Sequence, residues 1–115
     1  MNKYKAKKVT MDGIVFDSGR EAKRYSELKL LERAGVIRNL ALQVPFMLAP
    51  ACKFAGERRA TPAVRYFADF CYYDIAKAMP VVEDVKSPVT AKLSTFRLKR
   101  HLMKTVCGVE LVVVA

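Results

Sequence analysis

The sequence predicts a small α/β protein in which helices flank a mixed β-sheet, with the element order α-β-β-β-α-β. Two observations lead to this class. Capping residues and apolar periodicity mark one helix near the start of the chain and one near its end. Three extended segments rich in β-branched and aromatic residues lie between them, and a fourth follows the second helix. Three successive strands followed by a helix-linked strand are typical of a mixed sheet.

Length and charge narrow the class further. The 115 residues, 52% of them apolar, predict one domain spanning 1–115. Its net charge of +10, from 21 Lys and Arg against 11 Asp and Glu, favours a polyanionic partner such as DNA, RNA or an anionic membrane. No apolar run approaches the ~20 residues that span a bilayer, so no membrane segment is expected. The basic N-terminal arm, 1–10, lacks the apolar stretch of a secretory signal.

The cysteines argue against a zinc site. There are three, an odd number, scattered at Cys52, Cys71 and Cys107 without a C-x-x-C pair. His101 is the only histidine. We therefore predict reduced thiols, with Cys71 and Cys107 in the core, and a cytoplasmic protein.

The first helix carries clear boundary signals. A turn at 11–14 leads into a short extended segment, after which Ser18 can cap the helix and Glu21 can complete a capping box. The helix is predicted to end near Ala34, with Gly35 as its C′ residue. Glu21 lies on the apolar arc, which is unusual for an acid and points to a role beyond capping. The arc is formed by Ala22, Tyr25, Leu28 and Leu31.

The strands are predicted at Ile37–Leu48, with a break near Pro45, at Arg65–Asp74, and at Val81–Lys86, where Pro88 ends the strand. A loop at 50–62 joins the first two. The second helix is predicted at Ser94–Cys107, closed by Gly108 and followed by a strand at Val109–Val114. Its apolar arc is assigned to Phe96, Leu98, Leu102, Met103 and Val106, and Lys99 falls inside that arc.

Asp69, Asp84 and Lys86 are the strongest candidates for a functional site. Side chains alternate along a strand, so Asp84 and Lys86 share a face. Two carboxylates can hold a hard cation such as Mg²⁺, and a lysine adds a fixed positive charge near an attacking water, which together predict a metal-dependent phosphodiesterase. Two alternatives stay open: a plain surface pair, and a bulge that would present Glu83 instead of Asp84. For Gln43, an ordinary strand amide is favoured over a polar residue beside the metal.

Basic residues outside this cluster predict contacts with phosphates. They occur in the arm, in the 50–62 loop and on the second helix, and their alternative role is that of an ordinary solvated surface. The candidates are Lys7, Lys8, Arg58, Arg59, Arg97, Lys99, Arg100 and Lys104.

Four segments carry a resemblance to a known family. They are Gly13-Ile14-Val15-Phe16-Asp17-Ser18 with Glu21-Ala22, then Ala68-Asp69-Phe70, Val82-Glu83-Asp84-Val85-Lys86 and Phe96-Arg97-Leu98-Lys99. In this order they resemble the PD-(D/E)xK nuclease superfamily, whose core is a restriction-endonuclease-like α-β-β-β-α-β sheet. The chain looks most like small phage-encoded members similar to Holliday-junction resolvases. The resemblance omits only the arm and the loop, and Ala68 stands where the nominal motif has proline.

The resemblance implies roles for these residues. Asp69, Asp84 and Glu21 would bind Mg²⁺ or Mn²⁺, and Lys86 would position or activate the water. The implied activity is that of an endodeoxyribonuclease acting on branched or recombining phage DNA, such as a four-way junction, as a homodimer in the host cytoplasm. Two alternatives remain: a restriction- or repair-type nuclease acting on duplex or single-stranded DNA, and a non-catalytic nucleic-acid-binding module.

Overall fold

The computed structural model describes residues 7–115 and has a mixed α/β architecture. Its main sheet has four strands in the order β3-β4-β5-β6, antiparallel except for the parallel pair β5–β6. Flanking helices and a separate β1–β2 hairpin complete it. The elements are β1 (Val9–Met11), β2 (Ile14–Phe16), α1 (Gly19–Arg33), β3 (Ile37–Ala49), β4 (Val64–Asp74), β5 (Met79–Val85), α2 (Pro88–Ala91), α3 (Ser94–Cys107) and β6 (Leu111–Val114).

The predicted order is present as α1-β3-β4-β5-α3-β6, and two features lie outside it. The turn at 11–14 joins two strands, because Asp12 and Gly13 both have positive φ, 53° and 75°, as a two-residue type I′ hairpin requires. Residues 9 and 10 are therefore strand rather than free arm, which corrects the predicted arm at 1–10. Residues 1–6 lie outside the described residues. The single turn α2 was also not predicted.

The boundaries of α1 and α3 follow their capping signals. Ser18 Oγ accepts a hydrogen bond from Glu21 N at 3.2 Å, and Gly35 adopts the left-handed conformation just past the end of α1. Helix α3 begins and ends as predicted, with Gly108 left-handed at φ 69°. The structure therefore confirms both helices that the capping residues predict.

The two long helices cover opposite faces of the sheet. Helix α1 packs on a cluster that includes Phe16, Tyr25 and Phe70, whereas α3 packs on Tyr66 and Leu111. The buried stripe of α3 is centred on Phe96 and Met103. Leu98 and Val106 are more than half exposed, so the predicted apolar arc is wrong at those two positions.

At Gln43 and Asp69, strands β3 and β4 change which of their alternating side chains face α1 and which face α3. Leu42 and Phe70 pack under α1, whereas Leu48, Tyr66 and Ala68, further along the same two strands, pack under α3. Gln43 has a φ of 50° in mid-strand, which rotates the chain and switches the alternation. The predicted break near Pro45 is wrong: β3 continues through that proline, which an edge strand tolerates.

No helix in the stretch 7–115 is long and apolar enough to cross a membrane.

Candidate active site

The candidate site lies where strands β4 and β5 separate. Their backbone pairing ends at Phe70 opposite Glu83. Beyond that point each strand bonds the other through a carboxylate: Asp69 N donates to Asp84 Oδ1 at 3.1 Å, and Val85 N donates to Asp69 Oδ2 at 2.9 Å. These two bonds replace the missing ladder bonds and fix both carboxylates at the fork.

Asp84 is the more enclosed of the two, with only 1% of its surface exposed. Its Oδ2 accepts a short hydrogen bond from the Tyr66 hydroxyl and lies 3.1 Å from Lys86 Nζ. The same ammonium stands 5.2 Å from the centre of the Phe96 ring, within range of a cation–π contact. The predicted sharing of one face by Asp84 and Lys86 is confirmed. Tyr66 was not singled out from the sequence.

Glu83 faces the other side of the sheet. Arg24 donates to both of its carboxylate oxygens, at 2.8 and 2.7 Å, and the Tyr72 hydroxyl also donates to it. Glu83 therefore belongs to a buried ion pair behind the site, and β5 has no bulge that would turn it forward. The sequence alternative that exchanged Glu83 for Asp84 does not match this arrangement.

Gln43 joins Glu21 to the carboxylate pair. Its Nε2 donates to Asp69 Oδ1 at 3.0 Å and to Glu21 Oε1 at 3.2 Å. The left-handed backbone at Gln43 turns the amide toward both acids. The interpretation of Gln43 as an ordinary strand amide is therefore wrong. Glutamine has no special preference for this conformation, so no local signal marked the position.

In the metal-free protein, the charged forms of Asp69 and Glu21 are disfavoured. Burial raises the pKa of Asp69 to about 7, helped by its hydrogen bond to Asp84 and by the charge of that neighbour. Burial likewise raises the pKa of Glu21, with further contributions from Asp17 and Asp84. Lys86 opposes the effect at Glu21 but does not cancel it. The site thus holds more negative charge than its own cation balances.

The Asp69 pKa predicts that metal-free stability falls as the pH rises between about 4 and 7. Unfolded Asp69 ionises near its ordinary pKa of about 3.9, whereas the folded protein keeps the proton up to about 7, so the unfolded state binds fewer protons across this window. Melting temperatures measured in EDTA across the window should therefore decline by several degrees. Asp69→Asn removes the titrating group and should flatten the decline; an unchanged slope would contradict it.

A cleft of about 770 Å³ opens in front of the cluster. Glu21, Asp69 and Lys86 line it, together with Lys7 and Arg20. The lining of the cleft therefore combines acidic groups with cations, an arrangement that suits a phosphate brought toward a bound cation.

The other predicted basic residues lie away from this cleft. Arg97, Arg100 and Lys104 line a recess of about 360 Å³ on the outer face of α3 with His101. Lys99 is half-buried and does not line this recess. Lys104 Nζ is paired with Glu110 at 2.8 Å. The remaining members of the set are exposed, Lys8 beside β1 and Arg58 and Arg59 in the 50–62 loop.

The donor set at the fork fits a hard divalent cation through two carboxylates. Among residues 7–115, no three His, Cys, Asp or Glu side chains are grouped so as to hold a metal ion. Mg²⁺, however, usually binds through one or two carboxylates and completes its shell with waters and substrate phosphates. Asp69 and Asp84 supply such a pair, and a cation would stabilise the charged form of Asp69, which burial and the neighbouring Asp84 disfavour. Glu21, predicted as a third ligand, is linked to Asp69 by Gln43 but is not grouped with the pair closely enough to hold the same ion.

The comparisons with known proteins give one match. The model of a family described as "Protein of unknown function (DUF1064)" matches residues 1–109. No curated protein and no solved structure matches the chain.

Proposed function

The chain belongs to the DUF1064 family, and we propose that it is a metal-dependent endodeoxyribonuclease with a PD-(D/E)xK core. The fork between β4 and β5 is the observation that carries the proposal, because it holds Asp69 and Asp84 against each other beside Lys86. The element order and the opposed helices support the same core. The branched phage DNA, the homodimer and the host cytoplasm implied by the resemblance remain parts of this proposal.

Phosphodiester hydrolysis needs negative charge neutralised at the phosphate and a water activated for attack. A divalent cation, Mg²⁺ or Mn²⁺, supplies positive charge and lowers the pKa of water. Asp69 and Asp84 would hold it. Lys86 Nζ, kept in place by Asp84 and the Phe96 ring, adds a second positive charge at the cleft. Tyr66 fixes the Asp84 carboxylate by its hydrogen bond.

Each acid has a partner that fixes its orientation. Gln43 Nε2 holds Oδ1 of Asp69 and Oε1 of Glu21, and Val85 N holds the other oxygen of Asp69. The carboxylates therefore need little reorganisation on binding a cation, which is the property expected of a prepared site. The net charge of +10 supports a polyanionic substrate.

The proposal predicts cation-dependent cutting of DNA. Labelled four-way junction, linear duplex and single-stranded DNA are incubated with the protein in Mg²⁺, Mn²⁺ or EDTA. Cutting in either metal and none in EDTA is expected, because the carboxylate pair alone leaves the phosphate charge unbalanced.

The three DNA substrates distinguish a junction resolvase from a general nuclease and from a non-catalytic binding module. Cutting of the junction alone would favour the resolvase role and a dimer with two sites, whereas equal cutting of all substrates would retain the nuclease and reject that role. Binding in EDTA without cutting in either metal would reject the nuclease in favour of a non-catalytic module.

A further inference from the structure

A two-stranded ribbon formed by β3 and β4 projects beyond the sheet. Strand β5 pairs with β4 only from Asp74 to Phe70, whereas β3 and β4 stay paired to Ala49 opposite Val64. The described residues have a radius of gyration of 16.3 Å, larger than the ~13 Å expected for a compact chain of this length. Their longest extent is 56 Å. The elongated shape therefore fits a compact body from which the β3–β4 ribbon extends.

Backbone hydrogen bonds order the tip of the ribbon, residues 52–61. Cys52 and Thr61 exchange two backbone hydrogen bonds, of 3.1 and 2.6 Å, which close the tip at its base. Glu57 N donates to Phe54 O at 3.1 Å, and Gly56 takes the left-handed position of this tight turn with a φ of 83°. The turn presents Phe54 at the end of the ribbon, with 55% of its surface exposed.

The loop that carries this aromatic side chain also carries three cations. Lys53, Arg58 and Arg59 lie in the same loop, with Glu57 as its only acid. None of the three cations belongs to an ion pair among the residues that the structure describes. An exposed ring beside free cations matches the chemistry of single-stranded nucleic acid, whose bases stack on aromatic rings while phosphates bind the cations. A paired duplex offers no free base face to such a ring.

The length of the ribbon sets where the tip would meet DNA. Thr61, at the base of the tip, lies eight positions before Asp69 of β4, which is at most about 27 Å at roughly 3.3–3.4 Å per residue. One turn of duplex, 10–10.5 base pairs, rises about 34–36 Å. If the ribbon follows the duplex axis, the base of the tip therefore lies about eight base pairs from Asp69.

We propose that the ribbon tip is a second DNA contact that takes an unpaired base beside a branch point, with Phe54 stacking on the base and Lys53, Arg58 and Arg59 binding the flanking phosphates. This inference rests on the proposed nuclease function and specifies its substrate as DNA with unpaired bases about eight nucleotides from the cut. The tip would distinguish branched from linear DNA without reading a sequence.

Binding in EDTA tests the tip separately from catalysis. Fluorescence anisotropy would compare wild type with Phe54→Ala on a linear duplex and on the same duplex carrying an unpaired branch. Losing one stacked base should weaken binding of the branched DNA by about 5- to 150-fold, with little change on the linear duplex. Phe54→Tyr should restore binding. Phe67→Ala is the matched control, because Phe67 is equally exposed, 53%, but lies on the ribbon below the tip, and it should change neither affinity.

Cys52, exposed at the base of the tip, provides a test of position. A photo-crosslinker on its thiol should react with the strand about eight nucleotides from the cut, and Cys52→Ser should lose that product. Equal weakening of both DNAs by Phe54→Ala, or none, would overturn the inference even if cutting in Mg²⁺ is intact. If the wild type does not cut DNA but Phe54→Ala selectively weakens binding of the branched DNA, the nuclease is rejected and the tip remains a DNA contact.

Discussion

Asp84→Asn is expected to lower the rate of metal-dependent cleavage by at least about 100-fold, because a bound metal contributes several kcal/mol to the transition state and each 1.4 kcal/mol is tenfold. Asparagine keeps an oxygen that can accept from Asp69 N, but it removes the charge that faces Lys86 and a cation. Rates on labelled DNA in Mg²⁺, with circular dichroism to verify folding, measure the effect. DNA binding in EDTA should be retained, since the substitution removes a negative charge near the phosphate.

Glu83→Gln is the matched control for this experiment. Glu83 is the adjacent residue on β5 and has the same 1% exposure, but it faces Arg24 and Tyr72 behind the sheet. At a temperature where the variant is folded, its cleavage rate should fall far less than that of Asp84→Asn, because glutamine can still accept a hydrogen bond from Arg24 and keep α1 on β5. Wild-type cutting by a folded Asp84→Asn protein would contradict the proposed role of the pair, and a selective loss in Glu83→Gln would transfer that role to Glu83.

The sequence was informative wherever a local signal determined the structure. Ser18, Gly35 and Gly108 marked helix ends by caps that act within a few residues, and both helices follow them. Alternation on a strand correctly placed Asp84 and Lys86 on one face, because the chain stays regularly paired with β6 there. The three-residue strand β1 and the single turn α2 are too short for a periodic pattern to reveal.

Features set by long-range contacts could not be predicted in this way. Gln43 occupies a left-handed conformation that glutamine does not favour, and its two acid partners lie 22 and 26 residues away. The contact of Tyr66 with Asp84 depends on the pairing of β4 with β5. The same limit applies to α3, where Lys99 was correctly placed on the inner side of the helix and Leu98 was wrongly placed there. The centre of the buried stripe depends on where the sheet contacts the helix, which the helix sequence alone does not determine.

Arg24→Met is expected to destabilise the protein by about 3–5 kcal/mol, the usual cost of leaving a buried charge without its partner. Glu83 is almost completely buried, and Arg24 satisfies both of its oxygens. Urea unfolding with a constant m-value measures the loss. Lys29→Met, in the same helix, removes the cation of the more exposed pair with Glu32 and should cost no more than about 1 kcal/mol. Similar losses in both variants would contradict the desolvation of Glu83.

The position of this ion pair also predicts that stability and cleavage can be separated. Arg24 lies one turn beyond Glu21 on α1, and Glu83 precedes Asp84 on β5, so the pair fixes the helix acid relative to the strand acid. Replacing the whole buried network, as Arg24→Met with Tyr72→Phe and Glu83→Leu, leaves no orphaned polar group and should recover much of the lost stability. An apolar contact is less directional than a two-point ion pair, so α1 can shift on β5 and cleavage should remain below wild type. A triple variant that regains both stability and full cleavage would show that the ion pair has no part in positioning Glu21.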